Sequence, residues 1–158
     1  MGITLMSQFS PDVLSAPMRL MGFIHRAFTR AADVPLRELG FAMGQLPVLV
    51  TLKKHPEGLS QAALARMASV EQPSMAQLLN RMERDGLVER VPDPADGRSR
   101  LISLTALASR RMPKGKAVMD DICVRALADF SAEEIEQLTR LLARVRANLG
   151  EPDPDDMG

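Results

Sequence analysis

The chain has 158 residues, 46% of them apolar and 25% charged, which suits one globular domain or one subunit of a small oligomer. A single cysteine and two distant histidines exclude an intrachain disulfide and a cysteine-built cluster, so no metal and no cofactor is expected. Twenty basic residues balance twenty acidic ones, no Trp or Tyr offers a stacking platform for RNA or single strands, and neither a membrane span nor a signal peptide is visible, so the expected compartment is the cytoplasm.

Helical periodicity leads from the start. From Asp12 to about Ala32, Leu14, Met18, Met21 and Phe28 share one face, and Leu20, Ile24, Ala27 and Ala31 form a second apolar stripe. A helix apolar on two faces needs more than one neighbour. Pro17 predicts a kink or a later helix start. A short helix follows from about Gln45 to Lys54, with Pro47 in its first turn, and His55-Pro56-Glu57-Gly58 breaks the chain. Ser60 is the expected N-cap of the next helix, with Leu59 and Leu64 as a hydrophobic staple. That helix stops near Ala68. Another begins at Pro73, placed where its missing N–H costs nothing, and ends before Gly86.

The pattern then turns to strand. Leu87–Val91 and Arg98–Leu104 are β-prone and flank the turn-forming Pro92-Asp93-Pro94-Ala95-Asp96-Gly97. Thr105 caps a long helix expected to reach Asp129, interrupted early by Pro113 and Gly115. Ser131-Ala-Glu-Glu134 fits a capping box for the last helix, which carries a stripe of Ile135, Leu138, Leu141, Leu142, Val145 and Leu149. The last eight residues hold four acids and no base, an expected disordered tail whose removal leaves a net basic body.

Function concentrates in Gln72–Arg84. Met75, Leu78, Leu79 and Met82 fall on one face, leaving Ser74, Gln77, Asn80, Arg81 and Arg84 on the other. Short polar, amide and guanidinium groups are the side chains that meet base edges and phosphates in a major groove. Ala65, on the preceding helix, is small where a second helix must cross closely. Two packed helices alone would be an ordinary structural pair. A charged hairpin directly after them is a much rarer arrangement.

Residues 59–105, LSQAALARMASVEQPSMAQLLNRMERDGLVERVPDPADGRSRLISLT, resemble the winged helix-turn-helix core of the MarR family of bacterial regulators. The similarity lies in Arg81–Arg90, in Asp96-Gly97-Arg98, and in Leu101 with Leu104-Thr105. Ala108 departs from the glycine the family often has there. The resemblance implies a mainly α fold with a small β wing, in a single domain over residues 1–150. Within it a winged helix-turn-helix at 44–105 lies between N- and C-terminal dimerisation helices at 12–32 and 106–149, ahead of the acidic tail at 151–158. It implies a homodimer on a pseudo-palindromic operator in double-stranded DNA, most simply as a repressor. Ser74, Gln77, Asn80, Arg81 and Arg84 would enter the major groove. Arg98 would probe the minor groove, with Asp96 helping to hold it. Arg90 reads as structural or phosphate-contacting, and Arg100 as either a solvated strand residue or a DNA contact.

The resemblance also implies release by a small aromatic or phenolic ligand, and Met21, His25, Met43, Leu46 and Met112 are the candidate lining residues. For His25 a satisfied interface or surface histidine is the plainer reading, and for the methionines plain core. Cys123, on a stripe with Met119, Ile122 and Ala126, is expected to be buried and inert. Two other functions compete. The neutral charge allows a winged helix that binds protein instead of DNA, and the other alternative is a DNA-binding regulator not controlled by a ligand. An enzyme is disfavoured, since no nucleophile–base pair or phosphate loop is present.

Overall fold

A computed structural model describes residues 9–68 and 70–151. The first eight residues and the tail beyond Glu151 lie outside the described residues. In chain order the elements are α1 (Pro11–Glu38), a 3-10 turn (Met43–Gln45), α2 (Leu46–Lys54), α3 (Gln61–Met67), α4 (Gln72–Arg84), β1 (Val88–Pro92), β2 (Arg100–Leu104), α5 (Ala106–Ala126) and α6 (Ala132–Asn148). The architecture is mainly helical with one two-stranded antiparallel sheet.

Helix starts follow side-chain chemistry. The hydroxyls of Ser60, Thr105 and Ser131 accept hydrogen bonds from the backbone N–H groups of Ala63, Ala108 and Glu134. Glu134 returns the favour by accepting from the Ser131 N–H, which completes a capping box. Gly86 ends α4 at φ 69°, a left-handed conformation that glycine adopts without a side-chain clash.

The prolines behave differently from expectation. α1 runs unbroken from Pro11 to Glu38 with Pro17 and Pro35 inside it, and α5 continues through Pro113. Pro17 and Pro113 are exposed, so water can satisfy the carbonyls that lose an N–H partner. Gly115 is buried, and a Cβ there would stand 3.2 Å from the Phe41 ring. The glycine therefore serves close packing of the chain after α1 onto α5 instead of interrupting the helix. α5 ends at Ala126, three residues short of the expected end.

One core organises the winged portion. Leu36, Val48, Leu49, Leu52, Leu64, Met75, Leu79, Met82, Leu87 and Ile102 are fully buried. They come from α1, α2, α3, α4 and the wing, so the wing is packed as part of the body. The fully buried residues of α1 are Ala32 and Leu36, the latter beyond the helix expected from sequence. Leu14, Met18, Leu20 and Ile24, on its predicted apolar stripes, are exposed.

The hairpin pairs Val88 with Leu104, Arg90 with Ile102 and Pro92 with Arg100. Its base gains a third segment that the sequence does not announce. Leu59 N donates to Ile102 O at 3.0 Å and Ile102 N to Leu59 O at 2.8 Å. Gly58 makes this approach possible: it sits at φ 87°, and a Cβ there would lie 2.7 Å from the Ser103 hydroxyl.

Candidate DNA-binding surface

Helices α3 and α4 form the helix-turn-helix. Leu64 and Ala65 are buried between them, and Val70 N donates to Ala65 O at 2.9 Å across the turn. α4 begins at Gln72, one residue ahead of expectation, and no side chain caps it. Its first-turn amides therefore remain available to an acceptor from outside, and a phosphate is the natural one.

α4 divides as its spacing demands. Met75, Leu79 and Met82 are fully buried, while Ser74, Gln77, Asn80, Arg81 and Arg84 are all exposed. The helix is thus anchored by its apolar face and presents five polar side chains outward. The guanidinium groups of Arg81 and Arg84 are exposed donors without an acid partner among the described residues.

Arg98 lies in the tip turn, outside the strand where the sequence placed it, because β2 starts only at Arg100. The tip is built on two aspartates. Asp96 Oδ1 accepts from the Arg98 backbone N–H at 3.0 Å, and the Asp96 carbonyl accepts from Ser99 N at 2.9 Å. Asp93 Oδ1 accepts from Ala95 N at 2.8 Å, and Asp93 Oδ2 from the Ser99 hydroxyl at 3.3 Å. Asp96 thus shapes the backbone that carries Arg98 and leaves the exposed guanidinium free to project. Arg100 is exposed at the first position of β2.

Two positioning residues, Asp93 and Gln45, escape a sequence reading, and a third, Arg90, reads from sequence as structural or phosphate-contacting, without its partners. Asp93 belongs to the tip, and the Pro-Asp-Pro context was a usable signal for an Asx-type turn. Gln45 is a buried polar side chain: its Oε1 accepts from Ala42 N at 2.8 Å and its Nε2 donates to Asp85 Oδ2 at 3.4 Å. It joins the start of α2 to the end of α4, 40 residues away, and nothing local betrays that. Arg90 donates from Nε to Glu83 and from a terminal nitrogen to Asn80, both at 3.1 Å, so β1 is tied to the exposed side of α4.

The residues expected to line a ligand pocket separate. Met21 and His25 line a groove of about 810 Å³ between α1 and α6, together with Ile24, Leu138, Leu142 and Arg144. Met43, Leu46 and Met112 pack instead against the hydrophobic core. Cys123 is exposed, contrary to the expected buried thiol. Ile122, a member of the same stripe, is buried, while Cys123, the next residue along α5, faces out. Among the described residues no helix is long and apolar enough to cross a membrane.

Comparison with known proteins agrees with this geometry. A sequence profile of the MarR family matches residues 38–99. YybA of Bacillus subtilis (strain 168), an HTH-type transcriptional regulator, is 27% identical over 132 residues, covering 84% of this chain and 87% of its own length. The structure of S. aureus MepR in complex with DNA superimposes with a TM-score of 0.73 at 25% identity, over 82% of this chain and 94% of that one. CouR from Rhodococcus jostii RHA1, bound to p-coumaroyl-CoA, superimposes with a TM-score of 0.68 at 25% identity, over 86% and 92% of the two chains. Residues 38–99 thus match the MarR family of transcriptional regulators, and the likeness to such DNA-binding regulators extends over most of the chain.

Proposed function

We propose that the chain acts in the cytoplasm as a homodimeric repressor that reads a pseudo-palindromic operator and leaves it when a small aromatic or phenolic ligand binds. The observation that carries the reading is α4: three fully buried anchors hold a face of five exposed polar side chains, beside a wing tip that projects Arg98. Ser74, Gln77, Asn80, Arg81 and Arg84 meet the major groove. Arg98 enters the flanking minor groove, whose negative potential favours a guanidinium. Arg100, exposed at the base of the tip, contacts phosphate. MepR, solved with DNA, supports the assignment of DNA as the partner.

A second copy is favoured by the exposed apolar side chains. Val13, Leu14, Met18, Leu20 and Phe23 on α1, Leu138, Leu141 and Leu142 on α6, and Leu149 at its C-cap are uncovered in the single chain. α6 buries no residue at all within it. An apolar surface of that extent on two terminal helices suits a two-fold interface.

The ligand reading draws on the groove between α1 and α6, which Met21 and apolar neighbours line together with His25 and Arg144. Such a mixture fits an aromatic body with an acidic or phenolic end. CouR, solved with p-coumaroyl-CoA, is a structural relative with a ligand of that kind.

Footprinting on the DNA flanking the protein's own gene tests the function. The expected result is a protected inverted repeat with half-site centres about 10 bp or a multiple apart. Binding of equal strength to unrelated DNA would favour a winged helix that serves another partner. A panel of aromatic carboxylic acids, screened by thermal shift, tests the ligand: a binder selective for the folded state raises Tm.

A further inference from the structure

A polar hollow lies between the last turn of α1 and the first half of α5, away from the apolar groove between α1 and α6. It encloses about 390 Å³ and is bordered by Arg37, Glu38, Leu39, Gly40, Arg111 and Lys114. That volume suits a small molecule.

Arg111 is half-buried, and Lys114 is exposed one turn further along the same face of α5. Gly40 makes room for the guanidinium. It sits at φ 78°, and a Cβ there would stand 2.8 Å from a terminal nitrogen of Arg111. The chain after α1 thus closes over Arg111 with a residue that offers it no side chain. Among the described residues neither Arg111 nor Lys114 makes a hydrogen bond or an ion pair. A guanidinium carries five donors, and drawing it from water without an acceptor is costly.

The end of a helix attracts cations by its dipole, but α1 does not use these two. The Leu36 carbonyl accepts from Leu39 N and Phe41 N, and the Arg37 carbonyl from Gly40 N. Arg37 already supplies a cation in that last turn, and it pairs with Asp33. Arg111 and Lys114 therefore border the hollow as two uncommitted cations. Glu38, the one acid in the lining, is exposed.

We propose that this hollow binds a small phosphorylated sugar, with Arg111 and Lys114 donating to the phosphate and Glu38 accepting from a sugar hydroxyl. A phosphate has enough acceptor oxygens to take a forked guanidinium and an ammonium at once. Glu38 repels a bare polyanion and favours a phosphate carried on a hydroxyl-bearing body. The site is separate from both the DNA-binding face and the groove assigned to an aromatic ligand.

The test is calorimetric titration of the full-length protein with ribose 5-phosphate at low salt, beside ribose and inorganic phosphate. Ribose 5-phosphate is expected to bind once per chain, ribose to give no heat, and inorganic phosphate to bind at least about threefold more weakly. Arg111→Met with Lys114→Met, checked for folding by circular dichroism, is expected to weaken the ester at least about tenfold. Glu38→Gln is expected to abolish the advantage of the ester over inorganic phosphate.

A wild type that does not bind ribose 5-phosphate overturns the proposal, as does a folded double variant that binds it undiminished. Should the double variant not fold, Lys114→Met alone decides, since that side chain is exposed, and an unchanged affinity overturns the site. Operator binding of the double variant is expected to keep the wild-type salt dependence. A slope flattened by about one counterion per subunit would assign these cations to the DNA backbone and overturn the free-ligand reading.

Discussion

Arg98 could contribute little if the turn that carries it were loose. Asp93 and Asp96 organise that turn through bonds to Ala95, Arg98 and Ser99, so the two carboxylates set the backbone from which the guanidinium projects. Asp93→Ala removes an acceptor shared by two donors. It is expected to weaken operator binding by roughly 1 kcal/mol, or about fivefold, while thermal stability stays near wild type. Fluorescence anisotropy on a labelled operator measures the first and a melting curve the second. Several residue roles were legible in sequence because they are local. Ser60, Thr105 and Ser131 precede their helices at cap positions, and Met75, Leu79 and Met82 repeat at helical spacing. The role of Gln45 and the partners of Arg90 were not legible, since each depends on a residue brought near only by the finished fold.

Among the elements, the wing base and the last helix carry separate constraints. Gly58 holds a left-handed backbone with its Cα against Ser103 and Ile102, which lets Leu59 pair with Ile102. Gly58→Ala adds both backbone strain and a clash with the strand. It is expected to destabilise the fold by about 1–3 kcal/mol, readable in urea denaturation. A neutral result would mean that the Leu59–Ile102 pairing is dispensable.

α6 depends on its start. Ser131 both caps the helix and bonds Glu134, so Ser131→Ala is expected to cost about 1 kcal/mol. The Glu133 carboxyl is held below its usual range, first by the backbone N–H at the helix start and then by the Ser131 hydroxyl. Because the folded-state value is the lower one, this stabilisation is complete above the ordinary carboxylate pKa. It is lost as pH falls through the lowered value. The end of α1 and the continuity of α5 escaped a sequence reading for one reason. A proline marks a missing donor, but whether water covers the orphaned carbonyl depends on which side of the helix faces out.

On the scale of the whole molecule, apolar patterning told which helix faces avoid water without telling what covers them. Leu14, Met18, Leu20 and Ile24 of the α1 stripes are exposed in the single chain, Met21 and Phe28 are half-buried, and the fully buried anchor lies further along at Ala32 and Leu36. The same ambiguity misplaced Cys123. A second copy resolves the pattern if α1 and α6 pair across a two-fold axis. Leu142, 42% exposed and central in the α6 stripe, is a direct probe. Leu142→Glu is expected to weaken dimerisation by roughly 2 kcal/mol, visible by sedimentation, and to lower operator affinity as the paired half-sites lose their linkage. A variant that stays dimeric at micromolar concentration would place the interface elsewhere.

Operator affinity of Arg81→Ala and Arg98→Ala, measured against salt, tests most directly the claim that α4 and the wing tip read DNA. Both variants are predicted to remain folded and to bind the operator at least about tenfold more weakly at fixed salt. Arg98→Ala is also predicted to flatten the salt dependence by about one released counterion per subunit. Affinity and salt slope unchanged in both variants would contradict the account.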